Sequence, residues 1–236
     1  MLCSERSLVN RGVNTIRAVT LRCRSWGCDI CNPIRKAQLV ALAKRGQPTT
    51  FITLTVHAKP GETPASRARH LAAAWRTVVK RAKRKYGYSS IPYMCVFEAT
   101  KKGEPHLHIL CRVKWISQRW LSNQMKELIG APIVDIRQVK DQKKLAAYVA
   151  KYIGKDPHRF ETCKRYWCTR SYKFEDGEPE PEPPGWDPGW TIVNRFLWEL
   201  EARWRSNGWD VSLDRGTLSA AWEPPLRAPE RYVWSG

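Results

Sequence analysis

Residues 97–110 read Phe-Glu-Ala-Thr-Lys-Lys-Gly-Glu-Pro-His-Leu-His-Ile-Leu, two apolar stretches broken by the polar run Lys101–Glu104. The pattern predicts a β-hairpin with a tight turn at that run. Strand side chains alternate between faces, so His106 and His108 share one face and Leu107 points to the other. The hairpin carries Glu98, on the partner strand, towards the imidazole pair. Two imidazoles and a carboxylate leave open positions for a divalent cation. A His-x-His pair alone is more often half-buried structural polarity than a ligand set. Glu98 shifts the balance, because a buried carboxylate is rare unless it is paired or holds a cation.

Working outward, TFITLTV at 50–56 is a strand of β-branched and aromatic residues. A helix is expected from Thr63 to Tyr86, with Pro64 in its first turn, Gly87 at its end and Leu71, Trp75, Val78 and Ala82 on a core stripe. Arg67, Arg76, Lys80, Lys83 and Arg84 are assigned to its solvated face, where they can also follow a phosphate backbone. Strands at 91–98 and 106–113, a helix from Ser117 to Ile129, a strand in PIVDIRQV and a helix opened by Asp141 complete the series. Strand, helix, strand, strand, helix, strand, helix is an α+β plan, a ferredoxin-like or RNA-recognition-type antiparallel sheet with helices on one face.

In the helix after Asp141, Leu145, Val149 and Ile153 form the apolar stripe. Lys144, Tyr148, Lys151, Tyr152 and Lys155 fall on a separate, basic stripe. Tyrosines at this spacing usually pack; these two lie off the packing face. A phenol ionises near ~10 in isolation, and neighbouring ammonium groups favour its phenolate.

Upstream, Cys23, Cys28 and Cys31 form a C-x4-C-x2-C array before a helix that Asn32 and Pro33 are placed to cap and start, and that runs to Gly46. C-x2-C at a helix start is a usual zinc half-site. Cys3 is the first choice for a fourth ligand, with Cys163 and Cys168 as the other candidates. Cys95 and Cys111 sit alone on strands, and Cys111 has the parity opposite to the histidines, which marks it as core.

The net charge is +19 over 236 residues, unevenly distributed. Residues 1–174 hold 35 Lys/Arg against 10 Asp/Glu, whereas residues 175–236 hold 6 against 12. A body this basic attracts polyanions, and a nucleic-acid backbone is the usual one. Arg165 and Trp167, in the basic-aromatic run Arg165-Tyr166-Trp167, are candidate DNA contacts. No apolar stretch is long enough for a signal peptide or a membrane span, so a cytoplasmic protein is expected. In a reducing compartment its eight cysteines favour metal ligation over disulfides. The chain divides into a cysteine-rich segment at 1–46, a catalytic domain at 47–174, an acidic Pro-rich linker at 175–190 and a C-terminal helix and tail at 191–236. Residues 1–22 are expected to begin irregularly, with a short strand at Arg17–Arg22, and irregular structure is expected beyond Trp209.

TFITLTV, then Glu98 with PHLHIL, then YVAKYIGK resemble the three ordered motifs of HUH endonucleases, the rolling-circle replication initiators. YVAKY in particular is similar to the two-tyrosine motif of microvirus initiators. The likeness spans about residues 50–155. It implies that His106, His108 and Glu98 hold Mg²⁺ or Mn²⁺ against a scissile phosphate. It further implies that Tyr148 attacks phosphorus to give a 5′-phosphotyrosine and a free 3′-OH, with Lys151 steadying the phosphate or phenolate. Tyr152 would be the second nucleophile, closing the displaced strand; YVAKY also satisfies the one-tyrosine pattern, so its role stays open. The partners implied are single-stranded origin DNA, a host helicase and a replication polymerase, because the chain has no G-x-x-x-x-G-K-[ST] phosphate loop of its own. A conjugative relaxase or a tyrosine transposase would use the same chemistry. A non-catalytic, zinc-stabilised nucleic-acid-binding module is the reading of another class.

Overall fold

The computed structural model describes residues 3–139, 157–173, 189–214 and 216–221. In chain order its elements are β1 (Ser7–Arg11), β2 (Thr15–Thr20), α1 (Cys31–Arg45), β3 (Thr50–Thr55), α2 (Pro64–Tyr86), β4 (Tyr93–Ala99), β5 (Pro105–Cys111) and α3 (Gln118–Ile129). They continue with β6 (Val134–Gln138), β7 (Tyr166–Cys168), the short α4 (Arg170–Lys173), β8 (Trp190–Val193), α5 (Leu197–Ser206), β9 (Asp210–Asp214) and β10 (Thr217–Ala221). The chain folds as two compact units, residues 33–181 and residues 1–32 with 182–236.

In the larger unit the strands form an antiparallel sheet in the order β6-β3-β5-β4-β7. Counted from β3, its first four strands lie in the order 4-1-3-2 and are joined β-α-β-β-α-β, the ferredoxin-like arrangement anticipated from sequence. β5 is therefore central, with β3 on one side and β4 on the other. One sheet face, carrying Ile52, Leu54, Cys95, Phe97, Leu107, Ile109 and Cys111, packs with Leu71, Trp75 and Val78 of α2 and Leu121 and Met125 of α3 in a single core. Trp75 and Cys111 are core, as their parity and spacing require.

The helix ends follow their cap residues. Thr63 accepts a hydrogen bond from the Ser66 amide and precedes Pro64, and Ser117 accepts one from the Trp120 amide. Gly87 and Gly130 close the two helices in the left-handed region, at φ 69° and 67°, where a Cβ is disfavoured.

Several expectations are corrected here. Arg67 does not belong with Arg76, Lys80, Lys83 and Arg84, which are exposed. It precedes Leu71 by four residues and so lies on the apolar stripe, only 4% exposed. Asn32 does not cap α1, which has already begun at Cys31; its side-chain amide donates instead to the Trp26 carbonyl at 2.6 Å. The second sheet face also holds buried apolar residues, since Phe51, Met94, Val96 and Leu110 are each at most 2% exposed.

The smaller unit has its own antiparallel sheet, ordered β8-β1-β2-β10-β9. Its core joins Val9, Ile16 and Ala18 to Leu200 and Trp204 of α5 and to Val211, Leu218 and Ala220. The short strand expected at Arg17–Arg22 overlaps β2, which pairs with β1, and β1, β9 and β10 are strands where irregular structure is expected from sequence. The stretch Thr191–Val193, expected as the start of the last helix, is part of strand β8 and pairs with β1. Among the described residues no helix is long and apolar enough to cross a membrane.

Candidate functional site

β5 places His106 and His108 on the sheet face opposite the α2–α3 core, because Leu107 and Ile109, with the alternate parity, are buried in that core. Register then selects their neighbours. Glu98 of β4 and Thr55 of β3 stand opposite His106, and Val96 and Thr53 stand opposite His108. The Glu98 carboxylate reaches diagonally, and its Oε2 lies 2.7 Å from His108 Nε2. On the other side of that ring, Nδ1 is 3.2 Å from the Thr53 hydroxyl. Phe51 stacks on the same imidazole with centroids 5.6 Å apart and planes 18° apart. His108 is thus held at both ring nitrogens and on one face, and is 3% exposed. Its ring centroid lies 6.3 Å from that of the half-buried His106.

Burial, followed by the neighbouring His108, pushes the pKa of His106 below the usual imidazole value, while Glu98 pulls the other way. The neutral ring that results keeps a lone pair for a ligand near neutral pH. Two imidazoles and a carboxylate are donors of the kind a divalent ion takes, but Glu98 and His108 are bonded to each other at 2.7 Å, and among the described residues these three are not gathered within 4.8 Å of one another as four cysteine sulfurs are.

Behind the site, Arg67 of α2 grips the β4–β5 turn. Its Nε and Nη2 donate to the two oxygens of Glu104 at 2.8 and 2.7 Å, and its Nη1 donates to the Glu62 carbonyl. The turn is closed by Thr100 N–H to the Glu104 carbonyl and Gly103 N–H to the Thr100 carbonyl, both at 2.9 Å. Gly103 takes φ 78°. Sequence reasoning missed Arg67; a lone cation on an apolar stripe was the available signal.

Residues 49–157 match the model of a replication-associated protein family, the ORF2 type. The matched span contains β3 to β6 and with them both histidines and Glu98. The match likens this part of the chain to replication-associated proteins. No curated protein and no solved structure gives a significant match.

Of the other expected site residues, Lys144, Tyr148, Lys151, Tyr152 and Lys155 lie outside the described residues. Arg165 donates to the Pro157 carbonyl at 2.5 Å. Trp167 packs on the core, its ring 5.6 Å from Phe97.

In the smaller unit the structure gathers Cys3, Cys23, Cys28 and Cys31, with all four sulfurs within 4.8 Å of one another. The β1–β2 hairpin is responsible. Ser7 pairs with Thr20, and the Leu21 amide donates to the Arg6 carbonyl, so Cys3 and Cys23 flank the same hairpin end. Cys28 and Cys31 follow at the approach to α1. Sulfur separations of 3.3 Å (Cys3–Cys31) and 3.7 Å (Cys23–Cys31) lie near the roughly 3.8 Å edge of a tetrahedron with 2.3 Å zinc–sulfur bonds. The set can bind a metal such as zinc. The Cys23 amide and then the Cys31 thiol, both bonded to Cys3, draw its pKa down to about 6. Burial, followed by the interaction with Cys3, pushes Cys31 up to about 11. Cys163 and Cys168, the other candidates for the fourth ligand, lie in the larger unit.

Proposed function

We propose that the chain is an HUH-type endonuclease that initiates rolling-circle replication by nicking and rejoining single-stranded DNA. The observation that carries this reading is the placement of His106, His108 and Glu98 on one face of the central strands, inside the span matched by a replication-associated family model. His106, His108 and Glu98 would hold Mg²⁺ or Mn²⁺, which when bound polarises the scissile phosphate. Thr53 and Phe51 fix the His108 ring so that Nε2 faces the ligand site.

Tyr148 is the proposed nucleophile. Its phenolate oxygen forms a bond to phosphorus, the bond from phosphorus to the 3′ oxygen breaks, and the departing oxygen takes up a proton as the 3′-OH primer. The 5′-phosphotyrosine conserves the bond energy for rejoining, in which a 3′-OH attacks phosphorus and the Tyr148 phenol leaves. In the two-tyrosine reading Tyr152 cleaves the second junction and so frees that 3′-OH, and in the one-tyrosine reading it takes no part. Lys151 steadies the phosphate charge, and Lys144, Lys155 and Arg165 contact the backbone. The chain position of the tyrosines supports this. The His158 amide donates to the Phe97 carbonyl, one residue from Glu98. Six residues separate His158 from Tyr152 and ten separate it from Tyr148, lengths that leave either phenol in reach of the histidines. A host helicase and polymerase would supply unwinding and synthesis, and the four cysteines would carry a structural zinc.

The test is to incubate the protein with end-labelled single-stranded origin DNA and Mn²⁺ and look for a protein–DNA adduct that survives denaturant. Wild type should form it; His106→Ala and EDTA should abolish it, and Tyr148→Phe should remove the first cleavage. An adduct that persists in EDTA or in His106→Ala would overturn the metal-site reading.

A further inference from the structure

We infer that a pocket between the end of α2 and the start of α3 is a second binding site for single-stranded DNA, one that stacks a base on Trp115. The inference rests on single-stranded DNA being the substrate. The pocket, of about 480 Å³, is lined by Lys85, Tyr86, Trp115, Arg119, Trp120 and Asn123 among others. Trp115 is 60% exposed, a large apolar surface left in water. Yet its backbone is pinned on both sides by one hydroxyl: the Tyr88 O–H donates to the Trp115 carbonyl at 2.7 Å and accepts from the Trp115 amide at 3.0 Å. Tyr86 meets Trp115 and Trp120 edge-on at 5.6 and 5.4 Å, while its own hydroxyl accepts from the Ser117 amide at 3.3 Å. Tyr86, Tyr88 and Trp120 pack against the core of the larger unit, so Trp115 stands on a fixed base.

A stacking platform needs an aromatic face placed before binding; here the Trp115 backbone is fixed by Tyr88 and its ring meets Tyr86 edge-on, which lowers the side-chain entropy lost when a base arrives. Cations surround it. Lys85 lies 5.7 Å over the Tyr86 ring, Arg119 lines the pocket, and Lys83, Arg84 and Lys114 are exposed nearby. Basic residues in the last turn of α2 also offset that helix's dipole, which accounts for Lys83 to Lys85 but not for a solvent-facing indole on a pinned backbone. A stacked base with its flanking phosphates on Lys85 and Arg119 accounts for both.

The site is distinct from the nicking centre. Trp115 follows Cys111 at the end of β5 remote from His106, and five residues of strand between His106 and Cys111 span about 17 Å. A DNA strand bound at both places must therefore extend several nucleotides beyond the scissile phosphate.

The experiment is fluorescence anisotropy of a labelled 30-nucleotide single strand in EDTA, so that cleavage does not enter, with 5-iodouracil photo-crosslinking of the same strand. Wild type should bind, and the cross-linked peptide should contain Trp115. Trp115→Ala should weaken binding by about ten-fold, the scale of losing one base–aromatic stack, and Trp115→Phe should restore most of it. A Lys85→Glu/Arg119→Glu double variant should weaken binding and flatten its salt dependence. Nicking of a short oligonucleotide confined to the histidine site should be unchanged in all three. Wild-type affinity in Trp115→Ala, with cross-links elsewhere, would overturn the pocket and leave the nicking reading standing. Failure of wild type to bind single strands at all would remove both. Loss of self-association on Trp115→Ala, with DNA affinity unchanged, would assign the face to protein contact instead.

Discussion

Arg67 and Glu104 form a two-point ion pair that ties helix α2 to the hairpin turn two residues before His106. The guanidinium side chain is 5% exposed and the carboxylate 18%, so removing either partner leaves a largely desolvated charge uncompensated. Arg67→Met should therefore destabilise the larger unit by about 3 kcal/mol, read by urea denaturation. It should also lower nicking beyond that loss, because the β4–β5 turn sets the spacing of Glu98 and His106. Arg67→Met/Glu104→Leu should recover much of the stability, since two apolar groups replace the pair. Equal stability in Arg67→Met and wild type would show that the pair contributes nothing to holding the turn.

Thr53 touches the site through His108. In a neutral ring whose Nε2 N–H donates to the Glu98 carboxylate, Nδ1 accepts from the Thr53 hydroxyl. For Nε2 to become a ligand the proton must move to Nδ1, where the same hydroxyl oxygen accepts it. Thr53→Val keeps the shape but removes that partner. It should weaken Mn²⁺ affinity by about ten-fold or more, the usual size of such outer partners, with the melting temperature little changed. Thr53→Ser should retain affinity near wild type. Manganese titration of the three proteins separates this positioning role from simple packing, which Thr53→Val preserves.

Gly46 marks another place where the backbone admits no side chain. A Cβ there would stand 2.1 Å from Cζ of the Tyr172 ring. Tyr172 has no room to yield; it is 1% exposed, and its hydroxyl donates to the Ala43 carbonyl at 2.8 Å. Gly46→Ala should destabilise by about 1–3 kcal/mol through overpacking, and Gly46→Ala/Tyr172→Leu should regain part of it. The measurement is the denaturation midpoint of both variants.

What the sequence disclosed was whatever local periodicity controls. The alternation in PHLHIL placed both histidines on one face and Cys111 on the other, and Thr63, Pro64, Ser117 and Gly130 bounded their helices. The order of elements alone was enough for the sheet plan. Long-range pairing was hidden. β1 joins β8 across some 180 residues, and neither strand has enough alternation to announce a sheet, so the two ends of the chain read as irregular or helical. Arg67 was misplaced because its charge outweighed its position four residues before Leu71. The diagonal reach of Glu98 to His108, past the His106 it faces in register, depends on side-chain rotamers that no spacing rule reports. Cys3 is the first choice for the fourth ligand from sequence, but the reason lies in the β1–β2 hairpin that the sequence did not disclose: its register brings together residues whose numbers sum to about 27 and so sets Cys3 beside Cys23.

That cysteine set yields the last prediction. In the metal-free cluster Cys3, at about 6, is a thiolate at neutral pH, whereas Cys31, at about 11, keeps its proton. Zinc requires thiolates, so binding must expel the proton on Cys31. Affinity should therefore rise with pH between about 6 and 11, since less work is needed to deprotonate Cys31 as pH increases. It should fall further below about 6, where Cys3 also protonates. Competition with a chromophoric chelator at pH 6, 7 and 8 reads this directly, with the tightest binding expected at pH 8. Cys31→Ser should lose zinc and lower the melting temperature of the smaller unit, whose few buried residues give it a modest core. Cys163→Ser should leave zinc content unchanged. Affinity independent of pH across that range would show that the thiols do not bind metal as a deprotonated set.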